Sequence, residues 1–210
     1  MTLSLKNIAA GLVLIGALSM SACISVLPKA KPAPTVYRLS VPHSVPEIPV
    51  KHNKVVNIEI PQAPRALSGT DIVLSPDGRR LTAAAGASWA EPVPNQLRHA
   101  LIDKLAGDGK ITGVIPSGGT RAPYRLNIDV RRFEAVFDNG EEAAPNSIVT
   151  LNLTLTDTKS RRLVGTHSVM TNVRARAASV SAIVDAQDAA TEKAMHEISA
   201  WLGNLIGDNP

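Results

Sequence analysis

The sequence predicts an α+β domain: a mostly antiparallel sheet with two helices packed on one face. Three observations lead there. From Val149 to Thr156, the apolar Val149, Leu151, Leu153 and Leu155 alternate with Thr150, Asn152, Thr154 and Thr156, the period-2 pattern of a strand with one buried face. Leu97, Leu101 and Leu105 recur at the spacing of a helix with one apolar stripe, with Val93 a turn earlier. The elements come in the order strands, helix, strands, helix, and hairpin-like connections dominate the second half. That order segregates the helices from an antiparallel sheet.

The chain opens with Lys6, an apolar run from Ile8 to Leu18, and Met20-Ser21-Ala22-Cys23. A basic start, a short apolar stretch and small residues before a cut make a secretory signal peptide over 1–22. The run is shorter than the ~20 residues needed to cross a bilayer, which argues against a retained membrane helix. A plain signal peptide would leave Cys23, the single cysteine of the chain, as an unpaired thiol at the head of an exported protein. Met20-Ser21-Ala22-Cys23 instead resembles the lipobox of bacterial lipoproteins, with Met20 where that class usually carries leucine. The resemblance implies that Cys23 takes a diacylglycerol, that cleavage precedes it, and that its new amine is acylated, with palmitate among the chains. Several chains, at ~0.8 kcal/mol per buried methylene, hold a protein on a membrane more lastingly than one. Ile24 follows where an aspartate would be the retention signal, which in that class points to the outer membrane and its periplasmic face. Residues 23–34 form the lipidated N-terminus and a tether, and the prolines of Leu27 to Pro34 favour an extended segment.

The domain predicted over 35–207 begins with a strand at Thr35 to Leu39. A loop with Pro42, Pro46 and Pro49 follows, then a strand from Lys54 to Ile60 that Pro61 ends. Asp71 to Leu74 and Arg79 to Ala84 flank the turn residues Ser75-Pro76-Asp77-Gly78, which predicts a hairpin. Trp89-Ala90-Glu91-Pro92-Val93-Pro94 introduces the first helix, since proline is tolerated in a first turn, and Gly107 is expected to stop it. Ile111 to Ile115 reads as a short strand. Tyr124 to Phe137 reads as a long one whose apolar parity switches between Val130 and Phe133, which requires a bulge near Arg131-Arg132. After the strand at Val149 to Thr156, Thr158-Lys159-Ser160 turns the chain into Leu163 to Val173. A final helix runs from about Ser181 to Ile206 on the stripe Ile183, Ala190, Ala194, Ile198, Trp201 and Leu205, with Gly207 as its expected cap.

Composition narrows the function. The mature chain has 188 residues, 210 less the 22 of the signal peptide, and 44% of the full sequence is apolar, enough for a packed core. The formal charge of +4 falls to +3 once Lys6 is removed, and no run of five like charges occurs, so the footprint of a nucleic-acid binder is missing. With two Trp, two Tyr and two Phe there is no clustered stacking platform for sugars or bases. The five histidines show no i+3 or i+4 pairing, and Cys23 is committed to acylation, which disfavours a metal site. Gly86-Ala87-Ser88-Trp89-Ala90 lacks the closing glycine of a nucleophile elbow. Glu141 and Glu142 are adjacent in a turn, and Gly118-Gly119 has no following Lys-Ser/Thr. No catalytic residue, metal ligand or cofactor is predicted, and the chain reads as one that binds or scaffolds.

Taken together, Tyr37-Arg38-Leu39 after the lipobox, Val56-Asn57-Ile58-Glu59-Ile60-Pro61 with Leu67 and Ile72-Val73, Trp89-Ala90-Glu91-Pro92 before the leucine helix, and Tyr124-Arg125-Leu126 through Phe133 resemble the ABC-type transport auxiliary lipoproteins, the PqiC-like outer-membrane partners of MCE-type transporters. The likeness runs from about Thr35 to Leu205, with small residues at Ala83 to Ala87 where the family often has aromatics. It implies a non-catalytic component of an envelope lipid transport system that partners an MCE-domain protein and an ABC transporter and forms a homo-oligomer; the polar Thr150, Asn152, Thr154, Thr156 face would suit a wet interface between subunits. A lipid-binding carrier with an apolar pocket and a structural or activator lipoprotein for a cell-wall enzyme are the other readings. If the domain has a docking surface, Trp89, Glu91 and Pro92 form its candidate, rigid at the start of a helix. The competing reading makes Trp89 a core anchor and Pro92 a helix starter.

Overall fold

The computed structural model describes residues 33–40 and 54–207. Cys23, most of the tether and the loop carrying Pro42, Pro46 and Pro49 lie outside the described residues. The strands are β1 (Thr35–Tyr37), β2 (Val55–Ile58), β3 (Asp71–Ser75), β4 (Thr82–Trp89), β5 (Thr112–Val114), β6 (Tyr124–Val136), β7 (Asn146–Asp157) and β8 (Leu163–Arg174). Two helices, α1 (Val93–Asp108) and α2 (Val180–Leu202), pack on one face. This is the predicted α+β class.

The alternation of β7 does what it promised. Val149, Leu151, Leu153 and Leu155 are buried under the helices, and each faces an apolar partner on β6: Phe133, Val130, Ile128 and Leu126. The parity switch of β6 is resolved by a register shift between Val130 and Arg132 that leaves Arg131 unpaired and keeps the core face continuous. The long ladders, β6 with β7 and β7 with β8, are antiparallel. The short ones include parallel pairs that hairpin reasoning does not reach. β2 and β3 lie in line along the free edge of β6 and both run parallel to it. Between them Pro61 and Pro64 interrupt the ladder, the 3-10 turn Arg65–Leu67 takes up slack, and Gln62 bridges to β6 through Val130 N–H and Ile128 C=O.

Val93, Leu97, Leu101 and Leu105 of α1 are all buried, and each contributes about 1.5–3 kcal/mol relative to an exposed side chain. On α2 the small Ala186, Ala190 and Ala194 are buried and let the helix lie close to the sheet. Ser147 at the sheet donates its hydroxyl to the Ile183 carbonyl across that interface. At the far end of α2 the approach is closer still. A Cβ on Gly165 would sit 2.9 Å from Leu205 Cδ1, so β8 needs glycine there or a moved leucine.

Several predicted boundaries shift. The α1 helix ends at Asp108, and its cap is Gly109, in the left-handed conformation at φ 64° and donating to the Leu105 carbonyl, not Gly107. The α2 helix ends at Leu202 and passes into one π turn, Gly203–Gly207, so Gly207 is not its cap. Strand β4 starts at Thr82, not Arg79, because Asp77 accepts the backbone N–H groups of Arg79 and Arg80 and holds them in the turn. It also extends past Ala84 to Trp89, so Trp89 closes a strand and does not open the helix.

Candidate functional site

Trp89, Glu91 and Pro92 sit on a shoulder where β1, β4 and α1 meet. Trp89 pairs with Tyr37 in the parallel β1–β4 ladder. It is 2% exposed and tilts against Phe133 at 6.0 Å between ring centres. Its indole Nε1 has no hydrogen-bond partner among the described residues. Trp89 is therefore packed as a core residue, while Glu91 is half-buried and Pro92 exposed beside it. A groove of about 600 Å³ runs along this shoulder, lined by Arg38, Glu91, His99, Asp103 and Ile115 among others. His99 Nδ1 lies 3.4 Å from Glu91 Oε1 at its rim.

The residue that fixes the shoulder is Gln96, which the sequence reading passes over. It is 5% exposed. Its Oε1 accepts the Leu39 N–H at 2.9 Å, and its Nε2 donates to the Glu91 carbonyl at 3.0 Å. The Ala90 N–H donates to the Tyr37 carbonyl at 2.6 Å. One amide thus locks the Tyr37-Arg38-Leu39 segment to the Trp89-Ala90-Glu91-Pro92 segment. That explains why two stretches far apart in sequence form one feature. A signal was available: Gln96 lies three residues after Val93, inside the apolar stripe of α1, where a polar residue must find partners.

On the other side of Leu39 lies a cleft of about 190 Å³ between the helices, lined by Ser40, Asp103, Lys104, Asp108, Asp188 and Met195 among others. Its carboxylates and small volume do not suit acyl chains, which require apolar pockets of roughly 300 Å³ or more. Asp188 accepts the Ser40 N–H at 3.1 Å. Burial pushes its carboxyl above the ordinary value, Asp185 and Glu192 push the same way, and the Ser40 bonds oppose them. A carboxyl raised in the folded state destabilises the fold when ionised. The cost is absent below the ordinary carboxylate range, grows as pH rises towards the folded value, and is complete above it. Replacing Asp188 with Asn, which can still accept from Ser40, is expected to raise the melting temperature at pH 7 and to lose that advantage in acid. Equal melting shifts at both pH values would contradict this account.

Among the described residues no group of three His, Cys, Asp or Glu is placed to hold a metal, and no helix is long and apolar enough to cross a membrane. His167 lies in β8, stacked on Trp201 at 5.5 Å, with Nε2 3.0 Å from Glu197 Oε1. The face of β7 carrying Thr150, Asn152, Thr154 and Thr156 points away from both helices, flanked by Arg125 and Asn127 of β6 and by Thr166, Ser168 and the exposed Met170 of β8.

A family model described as the ABC-type transport auxiliary lipoprotein component matches residues 37–199. Among curated proteins none matches. A crystal structure of a protein from Xanthomonas campestris is similar in fold, with TM-score 0.72 and 24% identity over 82% of this chain and 95% of that one. A crystal structure of an uncharacterized protein has TM-score 0.63 and 17% identity over 81% and 99%. A hypothetical protein from Chlamydia trachomatis has TM-score 0.51 and 8% identity over 74% and 98%. At these identities the likeness is one of fold. The matched segment begins at Tyr37, the residue paired with Trp89.

Proposed function

The chain belongs to the ABC-type transport auxiliary lipoprotein component family, and from that membership we propose that it is the non-catalytic outer-membrane component of an envelope lipid transport system. Cys23 carries the lipid anchor on the periplasmic face. The shoulder around Glu91 and Pro92 docks the periplasmic MCE partner of the ABC transporter, with Trp89 holding that shoulder from beneath. The observation that carries this reading is the Gln96 lock. The segment arriving from the anchor is fastened through Leu39 and Tyr37 to the Trp89–Pro92 segment. The docking surface therefore sits at a fixed place relative to the point where the tether joins the domain.

The test is a Glu91→Lys, Pro92→Ser double variant of the full-length lipoprotein. Both residues lie at the surface, and the exposed Glu91–His99 contact contributes little, so stability is expected to change by no more than about 1 kcal/mol. Recovery of the MCE protein with the lipoprotein is expected to fall. Undiminished recovery would remove the shoulder from the interface. The half-buried Thr150, Asn152, Thr154, Thr156 face, which neither described helix covers, is the surface on which copies of the chain assemble. If native mass spectrometry of an Asn152→Glu, Thr154→Glu variant gave an unchanged subunit number, that face would be discarded.

A further inference from the structure

One end of the sheet gathers positive charge that the fold does not require. Strand β1 runs parallel to β4, β4 antiparallel to β3, and β3 parallel to β6, so the chain enters β1 from the end towards which β6 runs. At the opposite end β6 starts, β7 finishes and β8 starts. There Arg121, Arg125, Lys159, Arg161 and Arg162 are all exposed.

These cations are held as one unit. Thr158 donates its hydroxyl to the carbonyls of Ala122 and Pro123 at 2.8 and 3.0 Å, and its N–H donates to Pro123 at 2.8 Å. The β7–β8 turn is thereby fastened to the segment that carries Arg121 and Arg125. Among the described residues the nearby acids are engaged. Asp157 accepts the N–H and hydroxyl of Ser160 at 2.7 and 2.8 Å, and Glu59 pairs with Arg125 at 3.1 Å. Arg121, Lys159, Arg161 and Arg162 form no ion pair with a described residue.

Arg161 stands apart from the other four cations in its backbone. At φ 56° it is the one non-glycine residue with positive φ among those described. A position in that conformation ordinarily carries glycine or asparagine, because a larger side chain is strained there. Folding gives no reason for arginine at this position. The residue lines a concavity of about 480 Å³ together with Arg125, Thr156, Asp157 and Thr158. Strain retained at a charge that lines a concavity points to binding.

We propose that this tip docks an acidic surface of the periplasmic component of the transport system, a second contact that rests on the function proposed above. The location favours a protein over the anchoring membrane, because the tip lies at the end of the sheet away from where the tether joins. The neighbouring Leu163, 62% exposed, supplies an apolar contact beside the cations, the mixture typical of protein interfaces.

The test places a photoreactive amino acid at Lys159 of the full-length lipoprotein in cells, and separately at Pro92. The Lys159 probe is expected to crosslink to an acid-rich segment of the transport component. Adding Arg161→Gly and Arg162→Ser is expected to lower that yield severalfold while the melting temperature holds or rises, since glycine relieves the backbone at position 161. Should the Lys159 probe reach only phospholipid, only another copy of the chain or nothing, while the Pro92 probe still reaches the transport component, the tip contact is overturned and the proposed function stands. If neither probe reaches a transport component, both fall.

Discussion

Replacing Trp89 with alanine is expected to destabilise the domain by about 3–5 kcal/mol, the usual cost of emptying an aromatic site in a packed core. Trp89 is 2% exposed and in contact with Phe133, so both its buried area and its ring contact are lost. Domains of this size lose roughly 2–4 °C per kcal/mol, and a fall of about 10 °C is expected in thermal unfolding. Any loss of partner binding by this variant would follow from the loosened shoulder. Trp89→Phe separates the two effects. It keeps a ring against Phe133 and removes an indole N–H that has no acceptor among the described residues, so it is expected to cost about 1–2 kcal/mol, well below the alanine variant. A Trp89→Ala protein that melts unchanged but no longer binds its partner would contradict the core assignment and make Trp89 itself a docking residue.

The second large effect is expected at Arg132. The bulge at Arg131 puts Arg132 and Glu134 on the same outer face of β6. Arg132 Nε and Nη2 both donate to Glu134 Oε1, at 2.8 and 2.6 Å. The Glu134 side chain is 7% exposed while that of Arg132 is 36% exposed. Arg132→Met therefore leaves a buried carboxylate without its cation, at a cost of about 3 kcal/mol, the low end for such pairs because the arginine is partly solvated. The double variant Arg132→Met, Glu134→Leu removes both charges and is expected to return to within about 1 kcal/mol of the parent. Denaturant unfolding of the single and double variants measures the difference. If the double variant were no more stable than the single, uncompensated charge would not be the cause.

The contrast between legible and illegible features follows from the range over which each is determined. The core face of β7, the bulge in β6 and the leucine stripe of α1 are written in local periodicity, and each is read correctly from neighbours a few residues away. Strands β2 and β3 are only four and five residues long, and nothing local states that they share the edge of β6 in parallel. Strand β4 is cut short by the reading because Ala83 to Ala87 are too small to show alternation, and Gly86 sits at φ 70°. Two glycines bracket Asp108 at the end of α1, and backbone geometry selects the second. At the candidate site the sequence singles out Trp89, Glu91 and Pro92. It does not reveal that Gln96 joins that segment to Leu39, a pairing across 57 positions. Nor does it reveal the positive φ of Arg161, since arginine is an ordinary residue in a polar turn until its backbone is seen.

The role proposed for this lipoprotein is that of outer-membrane partner of an MCE-type lipid transport system. Its most direct test is a crosslinked pull-down of the tagged full-length protein from separated outer-membrane fractions, read by mass spectrometry. The account predicts recovery in those fractions of an MCE-domain protein together with its ABC ATPase. Recovery of cell-wall synthases, or of the lipoprotein alone, would contradict it.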